Sequence, residues 1–203
     1  MGRPRTIADD RLLAAAAAAI GRHGPGFTLA DVAAEAGVAA GTLVARFGSK
    51  RGLLIAVSRG GTVRTIAAMR GAAASRATGG AALRAALVAA AADLDDPATA
   101  ANHLGQLGAD LADAELRAAV LEGQKAMGAE LRRLLRRAPD LPAAPPPTRA
   151  AEALLAVWNG TLLSWSMDPR GSLGARVGRS VDVLLAGWRG PSARRAPRTE
   201  ESM

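Results

Sequence analysis

The chain contains no cysteine among its 203 residues. That absence excludes a disulfide framework, a thiolate metal site and a cysteine nucleophile, and nothing then demands an oxidising compartment; a reducing cytoplasm is the expected location. Histidine is scarce as well, with two in all, His23 and His103. The sequence holds no His-x-x-x-His pair, no Gly-x-x-x-x-Gly-Lys phosphate loop and no Gly-x-Ser-x-Gly elbow. The residue patterns of metal and nucleophile chemistry are therefore missing, and we expect no catalytic residue, no metal site, no cofactor and no enzyme. Long apolar runs are missing too. The stretch Leu12 to Ile20, LLAAAAAAI, follows Arg3 and Arg5 and superficially resembles a signal peptide. It is far shorter than the roughly 20 residues that span a bilayer. Asp9 and Asp10 stand directly before it, and paired carboxylates suit a helix N-terminus and not a basic leader. We read it as a first helix with Leu12, Leu13, Ala16 and Ile20 on one apolar face, ended by Gly21 and the turn around Gly24, Pro25 and Gly26.

What is present is a 49% hydrophobic composition, enough for a compact core with a small appended domain. The net charge of +8 and a pI near 11.4 favour a polyanionic partner. Nucleic acid comes first and an anionic membrane surface second.

The stretch Thr28 to Leu54 is the most informative. Thr28 precedes the pattern Leu29, Val32, Ala33, Ala36, and Asp31 lies three residues on, a capping box with a short acid. Gly37 follows where a left-handed C-terminal residue is needed. A second pattern begins at Val38, in which Leu43 and Phe47 point back onto the first helix while Ala40, Gly41, Thr42, Ala45 and Arg46 face away. Two short helices joined by a tight glycine turn make a helix-turn-helix, whose second helix enters the DNA major groove. An ordinary helical hairpin is the alternative. Residues 1–51 carry seven arginines and lysines against four acids, a net of +3.

The residues Gly37 to Leu54, GVAAGTLVARFGSKRGLL, resemble the DNA-binding signature of tetracycline-repressor (TetR) family regulators, commonly G-V-S-x-G-x-L-Y-x-H-F-x-S-K-x-x-L. The departures are Ala39 for the serine cap, Val44 for a tyrosine that touches phosphate, and Arg46 for histidine. The resemblance implies an all-α protein: a three-helix helix-turn-helix head and a C-terminal helical bundle for ligand binding and dimerisation. It implies a homodimer on a palindromic double-stranded operator, a small-molecule effector of unknown identity, and no membrane association. Arg3, Arg5, Thr28, Val44, Arg46 and Lys50 are the candidate backbone contacts, and Ala40, Gly41 and Thr42 the candidates nearest the base edges.

We expect a head over 1–51, an effector-binding and dimerisation body over 52–190, and a disordered basic tail over 191–203 that includes Arg194, Arg195 and Arg198. In the body, a helix from near Ser49 bears Gly60 and Gly61, either a bend or a close helix crossing. A helix from Ala81 to Leu94 follows; Asp96 and Pro97 open another that runs to about Leu111, and Asp113 caps the next. Five prolines between Pro139 and Pro147 make a stiff loop. His103 and Gln106, with Met127, Trp158 and Trp165, are candidate effector contacts; core packing is the alternative for the tryptophans. The stripes Trp158, Leu162, Trp165 and Leu173, Val177, Val181, Leu184, Trp188 resemble the closing helix pair of this family's dimer interface. Closure of the monomer's own core is the other reading. Two readings of function stay open beside a regulator. One is a helical binding protein with merely non-specific DNA affinity, and the other is a basic membrane-surface protein.

Overall fold

In the computed structural model of the chain, the residues described are 8–76 and 79–190. Arg3, Arg5 and the tail 191–203 lie outside them. Among the described residues there are helices and no strand: α1 Asp9–His23, α2 Leu29–Ala36, α3 Ala40–Phe47, α4 Lys50–Ala74, α5 Gly80–Ala89, α6 Ala100–Ala112, α7 Ala114–Leu135, α8 Pro147–Met167 and α9 Leu173–Trp188.

The apolar residues gather into two cores. Leu12, Ala16, Phe27, Val32, Leu43 and Leu53 belong to one, built from α1 to α4. Leu83, Leu87, Leu131, Leu154, Trp165 and Val181 belong to the other, built from α4, α5, α7, α8 and α9. The helix α4 contributes Leu53 and Leu54 to the first and Met69 and Ala73 to the second, so it joins them. It runs unbroken through Gly60 and Gly61. A Cβ on Gly60 would lie 3.1 Å from Leu13 Cδ1, so this glycine serves a close crossing of α4 on α1 and makes no bend.

Several expected boundaries move. Helix α1 continues past Gly21, which is buried within it, to His23. Helix α5 stops at Ala89 and a separate turn of 3₁₀ helix covers Ala92–Leu94. Helix α6 starts at Ala100, because Asp96 accepts from the Ala98 N–H and closes a turn over Pro97 in place of a helix. Asp95 reaches across the fold instead. Its carboxylate accepts from the Ser172 hydroxyl at 2.7 Å and from the Leu173 and Gly174 N–H groups at 2.6 and 3.2 Å, capping α9. Buried Glu130 on α7 binds Arg70 of α4 at 3.1 Å and Arg133 of its own helix.

The two closing stripes are the larger correction. Trp165, Leu173, Val177 and Val181 have no exposed surface, and Trp158 and Trp188 are nearly as buried. Both indole N–H groups of α8 are used inside the chain, Trp158 on the Leu87 carbonyl and Trp165 on the Gly171 carbonyl. These residues close the chain's own core and have no surface left for a partner; Leu162 and Leu184 are packed against that core from its edge. The faces that α8 and α9 turn outward carry Ala156, Gly160, Leu163, Ser164 and Val183.

Candidate nucleic-acid interface and effector cavity

The head is ordered by local chemistry that the sequence writes openly. Thr28 caps α2: its hydroxyl accepts from the Asp31 N–H at 3.2 Å, and the Asp31 carboxylate accepts from the Thr28 N–H at 2.7 Å. The Thr28 hydroxyl also donates to that carboxylate at 2.8 Å, and this bond first and the Thr28 N–H second hold the Asp31 carboxyl below its usual range. Gly37 ends the helix in the left-handed conformation, φ 68° and ψ 39°. There a Cβ would be strained, which is why glycine is needed.

Helix α3 follows with one fully buried side chain, Leu43, and Phe47 half-buried beside it. Ala39 at its N-cap is extended and offers no side-chain hydrogen bond. The outward face of α3 presents Ala40, Gly41, Thr42, Val44, Ala45 and Arg46 together, all exposed. Three of these are too small to hold a neighbour at a distance, so the helix can approach another surface closely. Val44 is 47% exposed, an isopropyl group at the position where the family signature commonly carries tyrosine.

The cations around this face are engaged within the chain. Arg46 pairs with Asp9, and Arg22 with Glu35. Arg51 pairs with Asp113 at 2.7 Å and Glu115 at 3.6 Å. Such exposed pairs contribute about 0 to 1 kcal/mol each, so a phosphate can displace them readily. Lys50 differs. Its ammonium donates to the Pro25 carbonyl at 2.8 Å and to the Phe27 carbonyl, and lies 4.1 Å from the centre of the Phe27 ring. It therefore ties the turn after α1 to the start of α4. The Thr28 hydroxyl is likewise committed to its own helix. Sequence reasoning missed this structural role of Lys50, because the Pro25 and Phe27 carbonyls lie far from it along the chain.

The second feature is a cavity of about 290 Å³ between α1, α6, α7 and α8. Ile20, Leu94, Leu104, Leu107, Trp158 and Trp165 give it apolar walls, and His103, Gln106, Asp110, Gln124, Asn159 and Ser166 are its polar groups. A further space of about 650 Å³ shares Ile20, Leu94, His103 and Trp158 with it and adds Met127, Arg64 and Asp93. The five residues singled out in the sequence as effector contacts are thus brought to two adjoining spaces. Burial lowers the His103 pKa, partly opposed by Asp96, which favours the neutral imidazole. Burial raises the Asp110 pKa; the Gln106 N–H opposes and the charge of Asp113 adds to the rise. The Oε1 of Gln106 is buried without a hydrogen-bond partner. Asp110, Asn159 and Leu104 were not anticipated, since α6 shows which of its faces meets α8 only once both are folded.

Helix α6 also touches the head. The Asn102 side-chain amide donates to the Gly21 and Arg22 carbonyls at 2.8 and 3.0 Å, satisfying the C-terminus of α1. Gly105 packs against Pro25. One helix therefore carries both a wall of the cavity and a cap of the head.

Among the described residues no group of acids and histidines is arranged to hold a metal, and no helix is long and apolar enough to cross a membrane.

Residues 12–57 match the family model described as bacterial regulatory proteins, tetR family. No curated protein sequence matches the chain significantly. Among solved structures, the chain is similar to the fatty acid degradation regulator FadR from Bacillus halodurans, at 22% identity and a TM-score of 0.71 over 89% of this chain and 99% of that one. It is similar to the transcriptional regulator FadR from Bacillus subtilis in complex with stearoyl-CoA, at 20% identity and a TM-score of 0.71 over 89% and 99%. It is also similar to SmeT from Stenotrophomonas maltophilia, the repressor of the multidrug efflux pump SmeDEF, at 23% identity and a TM-score of 0.65 over 90% and 91%. At these identities the likeness shows the fold: an all-α chain with a helix-turn-helix head and a helical bundle behind it.

Proposed function

We propose that this chain, whose residues 12–57 match the model of bacterial regulatory proteins of the tetR family, is a sequence-specific, dimeric transcription repressor released from a palindromic operator by a small molecule. The observation that carries this reading is α3, anchored by Leu43 and presenting a small-residue face flanked by cations. Ala40 and Gly41 let the helix approach the base edges, and Thr42 offers a hydroxyl and a methyl to them. Arg46, with Arg3 and Arg5 of the arm, contacts phosphates. Thr28 and Lys50 hold register from their fixed positions. The head takes residues 1–51 and the body 52–190.

Dimerisation uses the outward faces of α8 and α9, where Gly160, Ser164 and Val183 border an open groove of about 530 Å³. The small residues allow close approach of a second copy. An effector in the cavity moves α6, and Asn102 passes the movement to the head. This works through unequal affinity of the effector for the DNA-competent and incompetent states. A regulator of this kind acts on DNA in the cytoplasm.

Selection of bound sequences from random duplex DNA by the purified protein, at two salt concentrations, tests the proposal. A palindromic motif that persists at the higher salt is the expected result. Ala39 and Val44 favour a second reading, a binding protein of the same fold whose DNA affinity is electrostatic. It predicts enrichment without a motif, vanishing as salt rises.

A further inference from the structure

We infer that the cavity between α1, α6, α7 and α8 takes an apolar amine, a cationic amphiphile with N–H donors, and rejects carboxylates and phosphate esters of the same size. The inference rests on the reading of this cavity as the effector site.

The walls fix the apolar part of the ligand. Trp158 and Trp165 spend their indole N–H groups on the Leu87 and Gly171 carbonyls, at 3.1 and 3.0 Å, so neither donor is left for a ligand. What they offer is ring surface, which attracts cations as well as apolar groups.

The polar groups fix the charge. Gln106 lines the cavity and is 6% exposed; its Nε2 donates to Asp110 Oδ1 at 2.7 Å, while its Oε1 has no partner. A buried acceptor left unpaired is costly, and a donor brought by a ligand removes that cost. Asp110 on the same wall is a carboxylate in a desolvated setting, and the lining contains no lysine or arginine to offset it. The other charge near Asp110 is that of Asp113, itself engaged by Arg51. In the adjoining space Arg64 is paired with Asp93 at 3.7 Å, and Asp10 is a further acid there. His103 at the junction is held towards its neutral form by burial. The field in these spaces is therefore that of surplus carboxylate. An ammonium offered to Asp110 and Gln106 offsets the charge of the desolvated carboxylate and pairs the orphaned oxygen at once. A phosphate-bearing ligand such as the stearoyl-CoA held by the Bacillus subtilis protein would find no cation among the lining residues of the smaller cavity.

The test uses the full chain and a matched set of probes, 4-phenylbutylamine, 4-phenylbutanol and 4-phenylbutyrate, titrated at pH 7 by calorimetry with tryptophan fluorescence alongside. We expect the amine to bind at least about tenfold tighter than the butyrate, or about 1.4 kcal/mol, with the alcohol between them. Asp110→Asn and Gln106→Leu should each erase the preference for the amine while leaving the alcohol's affinity nearly unchanged. Circular dichroism checks that both variants fold; if the leucine variant does not, the near-isosteric asparagine variant decides. Butyrate binding as tightly as the amine, or an amine preference that survives Asp110→Asn, overturns the charge assignment and leaves the cavity reading standing. Absence of binding by all three probes overturns the inference and the cavity reading together.

Discussion

Replacing Ala39 with serine should stabilise the recognition helix. Helix α3 has eight residues, too few to persist without tertiary support. Its support is the buried Leu43 and the half-buried Phe47. Other helices of this chain receive a side-chain cap at the third helical N–H: Thr28 accepts from Asp31, Ser49 from Gly52 and Ser172 from Ala175, at 3.1 to 3.2 Å. Ala39 has the same extended backbone, φ −74° and ψ 144°, and no hydroxyl. Ala39→Ser should therefore add about 0.5 to 2 kcal/mol to the free energy of opening α3, which is roughly a 2-fold to 30-fold rise in protection. Thr28→Ala and Ser49→Ala should lose a comparable amount in their own helices. Native-state hydrogen exchange of the amides in the first turn of α3 is the assay. Unchanged protection in Ala39→Ser, alongside a measurable loss in Thr28→Ala, would refute the reasoning.

Three other outcomes are expected. Lys50→Ala should weaken binding to all DNA sequences alike and lower the stability of the head by about 1.5 to 3 kcal/mol, since a charged donor to the Pro25 and Phe27 carbonyls is lost; Thr42→Ala should change the preference among operators instead. Binding profiles over a duplex library and urea melts check this, and identical profiles for the two variants would contradict it. The Asp95 carboxyl is opposed by burial, yet the Ser172 hydroxyl and the Leu173 and Gly174 N–H groups bring its pKa below the usual value. A depressed folded-state pKa means that its stabilisation is present above the unfolded value of about 3.9 and is lost as pH falls through the folded value. The difference in urea midpoint between the native chain and Asp95→Ala should thus be full at neutral pH and close as the solution is acidified below that unfolded value; a constant difference would contradict the capping role. Val183 is 78% exposed on α9, and Val183→Asp should shift a dimer to monomer in sedimentation without changing the thermal midpoint of the monomer; an unchanged sedimentation profile would place the interface elsewhere.

The head was legible because its signals are local. Thr28 with Asp31, then Gly37, mark both ends of α2 within a few residues, and Asp113 marks the start of α7 in the same way. Where the signal is long-range, the sequence misleads. Residues 89–92 are four consecutive alanines, which favour a helix and carry no stop signal, yet α5 ends at Ala89 and Asp95, a few residues on, caps α9. Asp96 and Pro97 form a good helix start by pattern, yet the Asp96 side chain closes a turn instead. Helix α8 carries two stripes that suit packing, one large and one small, and α9 carries its large stripe beside an exposed Val183. Periodicity identifies both and is silent on which faces inward, so the large stripes were as compatible with a partner as with this chain's own core. The cavity was half legible: His103, Gln106 and Trp158 stood out as polar or aromatic exceptions among alanines, whereas Asp110 and Asn159 acquire their place only through the packing of α6 and α8.

The measurement closest to the central claim is the affinity of the full chain for its selected duplex and for a scrambled duplex of the same length, followed across a salt series. The account predicts two lines of log affinity against log salt separated throughout by about 10³-fold or more, with the Lys50→Ala chain lying below the native one on both duplexes. Lines that coincide within error, falling together as salt rises, would mean that α3 contributes charge and no reading, and would contradict the account.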